Sequence, residues 1–188
     1  MLNSVAEHLE HYLGKISYGW SDDKSLHTIQ VVSFRNRPAD DIVTYSTLGL
    51  SEVELALPRE RKIRQELVMS AHASFRGEEI ASFLLSCAER LSERSQAILR
   101  GEVINPARPL VKGATVSAVY ATNPTPFDVG FAQFSNVAPP VIFVLLVPIT
   151  SEEKTLIESE GWNWFEDMLE LQDPDIWDLE RSEQVLKQ

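Results

Sequence analysis

The chain has 188 residues, of which 44% are apolar and 24% charged, the make-up of a globular protein rather than a disordered one. That length suits one domain over residues 1–188, able to bury roughly 70% of the surface of its unfolded chain, and no run reaches the ~18 consecutive apolar residues of a membrane span. The net charge of −11 disfavours nucleic acid as a partner.

The N-terminus lacks a basic stretch followed by an apolar core, so no secretory signal is expected. The single cysteine, Cys87, excludes an internal disulfide framework and fits a reducing compartment, so a cytoplasmic location is expected. Residues 2–13 read as a short amphipathic helix: Ser4 and Glu7 have capping-box spacing, Val5, Leu9 and Leu13 recur every four residues, and Gly14 stops it. Two β-rich runs follow at 28–34 and 42–48, joined by a polar, Pro38-containing turn that fits an antiparallel pair. A bend at 49–54 and a short alternating piece up to Pro58 lead to a third run at 63–71. There Ile63, Gln65, Leu67 and Met69 alternate with Arg64, Glu66, Val68 and Ser70, which reads as a meander with one face in solvent.

The longest helix is predicted over 77–99. Ile80, Phe83, Leu84, Cys87, Ala88, Leu91 and Ile98 form one stripe, with Glu78 and Glu79 in the first turn and Arg94 and Arg100 near the end, as the helix dipole favours. An extended connection at 105–109 precedes two predicted strands, 115–120 and 129–134, around a Pro-rich turn at 123–126. Residues 141–149 (VIFVLLVPI) are the longest apolar run, suited to a strand covered on both faces and ended by Pro148. Thr150 and Glu153 then form a capping box opening a helix that breaks at Gly161 and resumes with Trp162, Phe165 and Leu169 on one stripe until Pro174. Strands, a long helix, strands and helices in that order make an α+β (α/β sandwich-like) fold, with a mixed, largely antiparallel β-sheet flanked by helices.

The charge is concentrated. Residues 152–180 hold eleven acids and one base, Lys154, a net of −10, together with Trp162, Trp164 and Trp177; the remainder is nearly neutral. Such a block attracts a basic partner, although a solvated face that aids solubility would read the same way.

Catalytic signatures are weak. His8 and His11 share a helix face but lack the further ligands a metal site needs; His27 and His72 stand apart from them. There is no glycine-rich phosphate loop and no nucleophile elbow. Cys87 lies on an apolar stripe, where cysteine is usually inert. Glu66 is an acid within a strand, expected on the solvent face or else paired with Arg64 or Arg35. Arg35, Arg37, Arg59, Arg61, Lys62 and Arg64 fall in or beside turns and would gather at one end of the sheet if the strands pair, salt-bridged to interleaved acids.

Residues 44–52 (TYSTLGLSE), 64–70 (RQELVMS) and 141–153 (VIFVLLVPITSEE), then Gly161 and the helix over 162–169, resemble the suppressor of fused-like (SUFU) family. No one of these motifs is specific; the resemblance lies in their order and spacing between residues 28 and 172. It implies a mixed sheet flanked by helices, and a function by protein binding without a cofactor or catalytic residues. Animal members with an additional domain restrain a transcription factor, whereas short bacterial members of this length are commonly immunity proteins, or antitoxins, encoded with polymorphic toxins. The resulting expectation is an immunity protein that neutralises a basic toxin domain, with a general peptide-binding adaptor as the alternative and an uncharacterised enzyme behind it. Asp173, Asp175, Trp177 and Asp178 are the expected contact residues, the tail being least needed by the core. Trp162 and Trp164 join them, one expected packed and the other exposed.

Overall fold

In the computed structural model, residues 2–21, 28–106 and 110–181 are described; His27 and part of the 105–109 connection fall outside them. The described strands form one sheet: β1 (Tyr18–Ser21), β2 (Gln30–Arg35), β3 (Ile42–Leu48), β4 (Leu55–Ala56), β5 (Lys62–His72), β6 (Val103–Ile104), β7 (Ala118–Thr122), β8 (Gln133–Phe134) and β9 (Val141–Ile149). Their order is β1-β2-β3-β5-β9-β7-β6, with β4 added to β5 and β8 to β9. Every pairing is antiparallel except β5 with β9, where Arg64 to Val68 lie beside Val141 to Leu145. A parallel pair needs a long crossover, and α2 (Gly77–Arg94) lies within it. The mixed, largely antiparallel sheet of the sequence reading is therefore present, and the apolar run is an interior strand of it, between β5 and β7.

Both faces of the sheet are covered. On one, the stripe Ile80, Phe83, Leu84, Cys87 and Ala88 of α2 packs on Val31, Leu67, Met69, Val119, Val144 and Leu146. On the other, α1 (Val5–Leu13), a 3-10 turn at Val129–Ala132 and α4 (Trp162–Gln172) supply Leu9, Leu13, Phe131 and Phe165 against Phe34, Val68, Tyr120, Phe143 and Leu145. Between β9 and α4 runs α3 (Ser151–Glu160), opened by both capping-box hydrogen bonds: Glu153 N to Thr150 Oγ1 at 3.2 Å and Thr150 N to Glu153 Oε2 at 2.7 Å.

Several expectations need correction. β5 is not half in solvent: Gln65 to Ala71 are all buried, because α1, α4 and the 3-10 turn cover the face that carries Glu66 and Val68. Pro148 does not end β9; it lies opposite Val119 and the ladder continues to Ile149, on the side away from β5. The long helix stops at Arg94, where Ser95 turns left-handed at φ 48°. Ile98 reaches the core from an extended segment, held by Gln65, whose amide donates to Ile98 O at 2.8 Å and accepts from Ile98 N at 3.0 Å. The predicted strand at 129–134 is a 3-10 turn with two strand residues after it. The basic residues do not gather. The register Arg35↔Val43↔Ala71 puts Arg35 and Arg37 at the C-terminal end of β5, while Lys62 and Arg64 sit at its start, ~25 Å away at the rise of a strand.

Glu66 is fully buried and pairs with neither arginine. Its carboxylate accepts from Thr47 Oγ1 (2.6 Å), Ser51 Oγ (2.7 Å), Gly49 N (3.0 Å) and Ser51 N (3.1 Å), stapling the bend after β3 to the sheet. Burial pushes its pKa up, and these four donors oppose that rise. Gly49 is needed here: its φ is +111° and a Cβ would lie 2.7 Å from Thr28 O.

Candidate partner-binding surface

The acidic block is built into the fold at both of its ends. Parallel β5 and β9 end at His72 and Ile149, and antiparallel β7 begins beside them, so three strand termini share one edge of the structure. Residues 173–181 run across that edge. Trp177 O accepts from His72 N (3.2 Å), and Leu179 O accepts from Thr115 N (3.0 Å) and Val116 N (3.3 Å). Arg181 then donates to Pro148 O (2.7 Å) and to Glu153 Oε2 (2.6 Å), an ion pair with each side chain only 9% exposed. Trp177 packs with the α4 side of the sheet and Leu179 with the α2 side, so this strap crosses from one core to the other. The tail is therefore not the part least needed by the core; Leu179 is fully buried.

Helix α4 is held at its start by a second polar cluster. Glu166 accepts from Thr122 Oγ1 (2.7 Å), Tyr120 OH (2.8 Å) and both Nε and Nη2 of Arg100, and the Arg100 guanidinium lies 4.8 Å from the centre of the Trp162 ring. Burial works to raise the Glu166 pKa, but Arg100 and the two hydroxyls hold it below the usual carboxylate value. Burial first, and then the neighbouring Glu166 carboxylate, push the Tyr120 hydroxyl far up. Such a group holds a proton and positions a helix.

These contacts sort the six expected contact residues. Trp162, Trp164 and Trp177 are all half-buried against the core, so the expected split of Trp162 and Trp164 into one packed and one exposed is not found. Asp175 is tied down: its Oδ2 lies 2.7 Å from His72 Nε2 and its Oδ1 accepts from Trp177 N. Asp178 accepts from Glu180 N and is half-buried. Asp173 is exposed, in a left-handed cap at the end of α4. Beside it stands a surface the residue-by-residue reading missed: Asp167, Glu170 and Leu171 on the outer side of α4, with Leu171 74% exposed. Their spacing, opposite the stripe of Trp162, Phe165 and Leu169, was the available signal. Among the described residues, Asp167, Glu170 and Asp173 make no side-chain hydrogen bond or ion pair, whereas Glu153, Glu158, Glu166 and Asp175 are paired within the chain.

The histidine pair does not form a metal site. His8 is buried, its ring stacked 4.9 Å from Phe143, and its Nε2 lies 3.0 Å from Phe131 O. Among the described residues no group of three or more His, Cys, Asp or Glu is placed to hold a metal ion. Cys87 is buried, and burial raises its thiol pKa against the opposing effect of Arg90, which lowers the fraction present as thiolate. Among the described residues no helix is long and apolar enough to cross a membrane.

A central mixed sheet with helices on both faces defines an α+β fold, and that fold has known relatives. The family model for suppressor of fused protein (SUFU) matches residues 25–182, so the chain belongs to that family. It is 26% identical over 176 residues to immunity protein YqcF of Bacillus subtilis (strain 168), covering 91% of this chain and 88% of that protein. A SUFU homologue from Neisseria gonorrhoeae FA 1090 superposes with a TM-score of 0.77 at 19% identity, over 96% of this chain and 94% of that one. Drosophila Suppressor of Fused gives 0.71 at 12% identity, over 95% of this chain and half of its own. A Sufu–Fu complex structure gives 0.70 at 12%, over 95% and 89%.

Proposed function

We propose that this chain is a non-catalytic immunity protein that acts in the cytoplasm by binding a cognate toxin domain of basic charge and blocking it. The observation that carries this reading is the end-to-end similarity to a protein named as an immunity protein; a protein partner also stands in the Sufu–Fu complex, whose fold this chain shares. The structure supplies a suitable surface. Asp167, Glu170 and Asp173 lie together on the exposed side of α4 and its cap, around the apolar Leu171. Unpaired carboxylates at an interface rim steer a basic partner and set the on-rate, while an apolar residue among them gives an anchor. Trp162, Trp164, Trp177, Asp175 and Asp178 support this surface from beneath or beside it.

The test is co-expression with the product of the reading frame next to this gene. A stoichiometric complex and restored growth are expected. The combination Asp167→Lys, Glu170→Lys and Asp173→Lys should slow association about tenfold or more at low salt and flatten its salt dependence. Growth arrest in the presence of this chain, with no complex by size-exclusion chromatography, would overturn the immunity reading. A complex indifferent to the three reversals would move the interface elsewhere.

A further inference from the structure

On the opposite face of the sheet, α2 turns its outer side toward residues 110–113, and between them lies an open groove of about 840 Å³. Its floor is Ser82 and Ser86, both exposed and one turn apart, so that an incoming chain meets small side chains near the helix backbone. Carboxylates stand at both ends: Glu78 and Glu79 at one, Glu89 and Glu93 at the other. The two ends differ in their partners. Glu78 and Glu79 are held by Arg76, and Glu79 also accepts from Lys112 N at 2.8 Å. The side chains of Glu89 and Glu93 make no hydrogen bond or ion pair among the described residues. The neighbouring cation does not serve them, because Arg90 folds back onto Ser86 O (3.3 Å) and Cys87 Sγ (3.6 Å).

Residues four apart on a helix are neighbours, so two carboxylates there with no bonded cation oppose helix formation slightly. That small cost is offset when a cation arrives. The groove's other lining is the largely buried Phe83 and Leu110 together with Pro106, Gly113 and two cations, Arg90 and Lys112, so that four carboxylates face two positive charges. Small floor, apolar wall and charged ends describe a cradle for a peptide segment rather than for a compact ion.

We infer that the groove between α2 and residues 110–113 is a docking site for a basic segment of a protein partner, with lysine or arginine side chains at its two ends. The inference rests on the binding reading above and deepens it by naming a second contact on the same partner. At 1.5 Å per helical residue the two carboxylate groups stand ~17–20 Å apart. An extended segment spans that distance in about six residues.

The test uses a probe independent of any toxin: a labelled synthetic peptide of about ten residues, with a lysine pair at each end of a Gly/Ser/Leu spacer of about six residues. Fluorescence anisotropy should show salt-dependent binding to the full chain. Glu89→Arg with Glu93→Arg should weaken it about tenfold or more, and Glu89→Gln with Glu93→Gln by less, while the reversal Glu158→Arg on α3 leaves it within about twofold. Circular dichroism checks that each variant is folded. No binding by the wild-type chain at low salt, or equal loss from Glu158→Arg, overturns the groove. Failure of the toxin co-expression with peptide binding intact would overturn the immunity reading instead.

Discussion

The strap over the strand ends makes a quantitative demand that two leucines of the same acidic block can test. Leu179 is fully buried between α2 and residues 110–116, and Leu171 is 74% exposed on α4. Truncation of a fully buried leucine to alanine costs about 2–5 kcal/mol through lost transfer energy and the cavity left behind. Taking about 3 kcal/mol for Leu179→Ala, the loss is a large share of the ~5–15 kcal/mol that stabilises an ordinary domain. For a chain of this size it corresponds to a fall in Tm of about 6–12 °C. Leu171→Ala should stay within about 0.5 kcal/mol, as surface substitutions do. Urea unfolding followed by circular dichroism reads both. The slope should be unchanged, so that the midpoint alone reports stability. The backbone bonds from Thr115 and Val116 to Leu179 O survive the substitution, and the effect therefore isolates side-chain burial. If Leu179→Ala costs less than about 1 kcal/mol, or Leu171→Ala costs as much, the strap is a surface appendage and the reasoning fails.

Three further outcomes follow from buried groups. Glu66→Leu leaves Gly49 N, Ser51 N and two hydroxyls buried without an acceptor, at about 1–3 kcal/mol for each orphaned group, and should destabilise by about 3 kcal/mol or more; Glu66→Gln, which keeps one acceptor oxygen, should cost less in the same urea titration. Gly101→Ala would put a Cβ 2.7 Å from Trp162 Cδ1 at a backbone φ of +95°, so the indole must move off Arg100; a shifted tryptophan emission and a loss of about 1–3 kcal/mol are expected. His8 is buried, which lowers its pKa below 6.5, with the nearby His11 adding to that effect and the bond to Phe131 O opposing it. Because the unfolded chain takes up the proton first, stability conferred by neutral His8 is fully present above about pH 6.5 and is lost as pH falls through the window below it. His8→Gln should abolish that part of the slope, as read from urea midpoints at pH 7 and pH 5.

Local signals in the sequence located the elements that depend on local chemistry. The run at 42–48 becomes β3 with those same bounds, the apolar run at 141–149 becomes β9 although Pro148 does not end it, and the Thr150–Glu153 capping box makes both of its hydrogen bonds. The errors arise where the deciding contact is distant in sequence. The alternation in β5 reads as one wet face because Glu66 and Ser70 are polar, yet those groups are satisfied by Thr47, Ser51 and Thr44 from neighbouring elements. Ile98 continues the periodicity of α2 by coincidence, and nothing in the spacing announces that Ser95 turns the chain. The four-residue strand β1 was missed because its burial is slight and Tyr18 is 61% exposed, leaving no apolar alternation to read. For the binding surface, composition located the acidic block but not its division. Ion pairs such as Arg181 with Glu153 join residues 28 apart, and only the fold decides which carboxylates remain for a partner.

That division changes what the charge of the block means. Counted along the sequence it is −10, a single diffuse field. In the structure Glu153, Glu158, Glu166 and Asp175 are matched internally, whereas Asp167, Glu170 and Asp173, on the outer face of α4 and its cap, make no side-chain hydrogen bond or ion pair among the described residues. A second pair, Glu89 and Glu93, belongs to a part of the chain whose overall charge is nearly neutral, and was invisible in the count for that reason. The strap relates the two surfaces. It leaves α4 at Asp173, passes β5 at His72, which lies just before α2, and bonds to residues 115 and 116, which follow the groove wall. A partner seated over the strand ends would reach the α4 cap on one side and the α2 groove on the other. On the proposed reading, the buried Arg181–Glu153 pair and Leu179 would serve binding indirectly, by fixing the two proposed carboxylate surfaces relative to each other before the partner arrives; such preorganisation lowers the ordering cost of association without adding a contact.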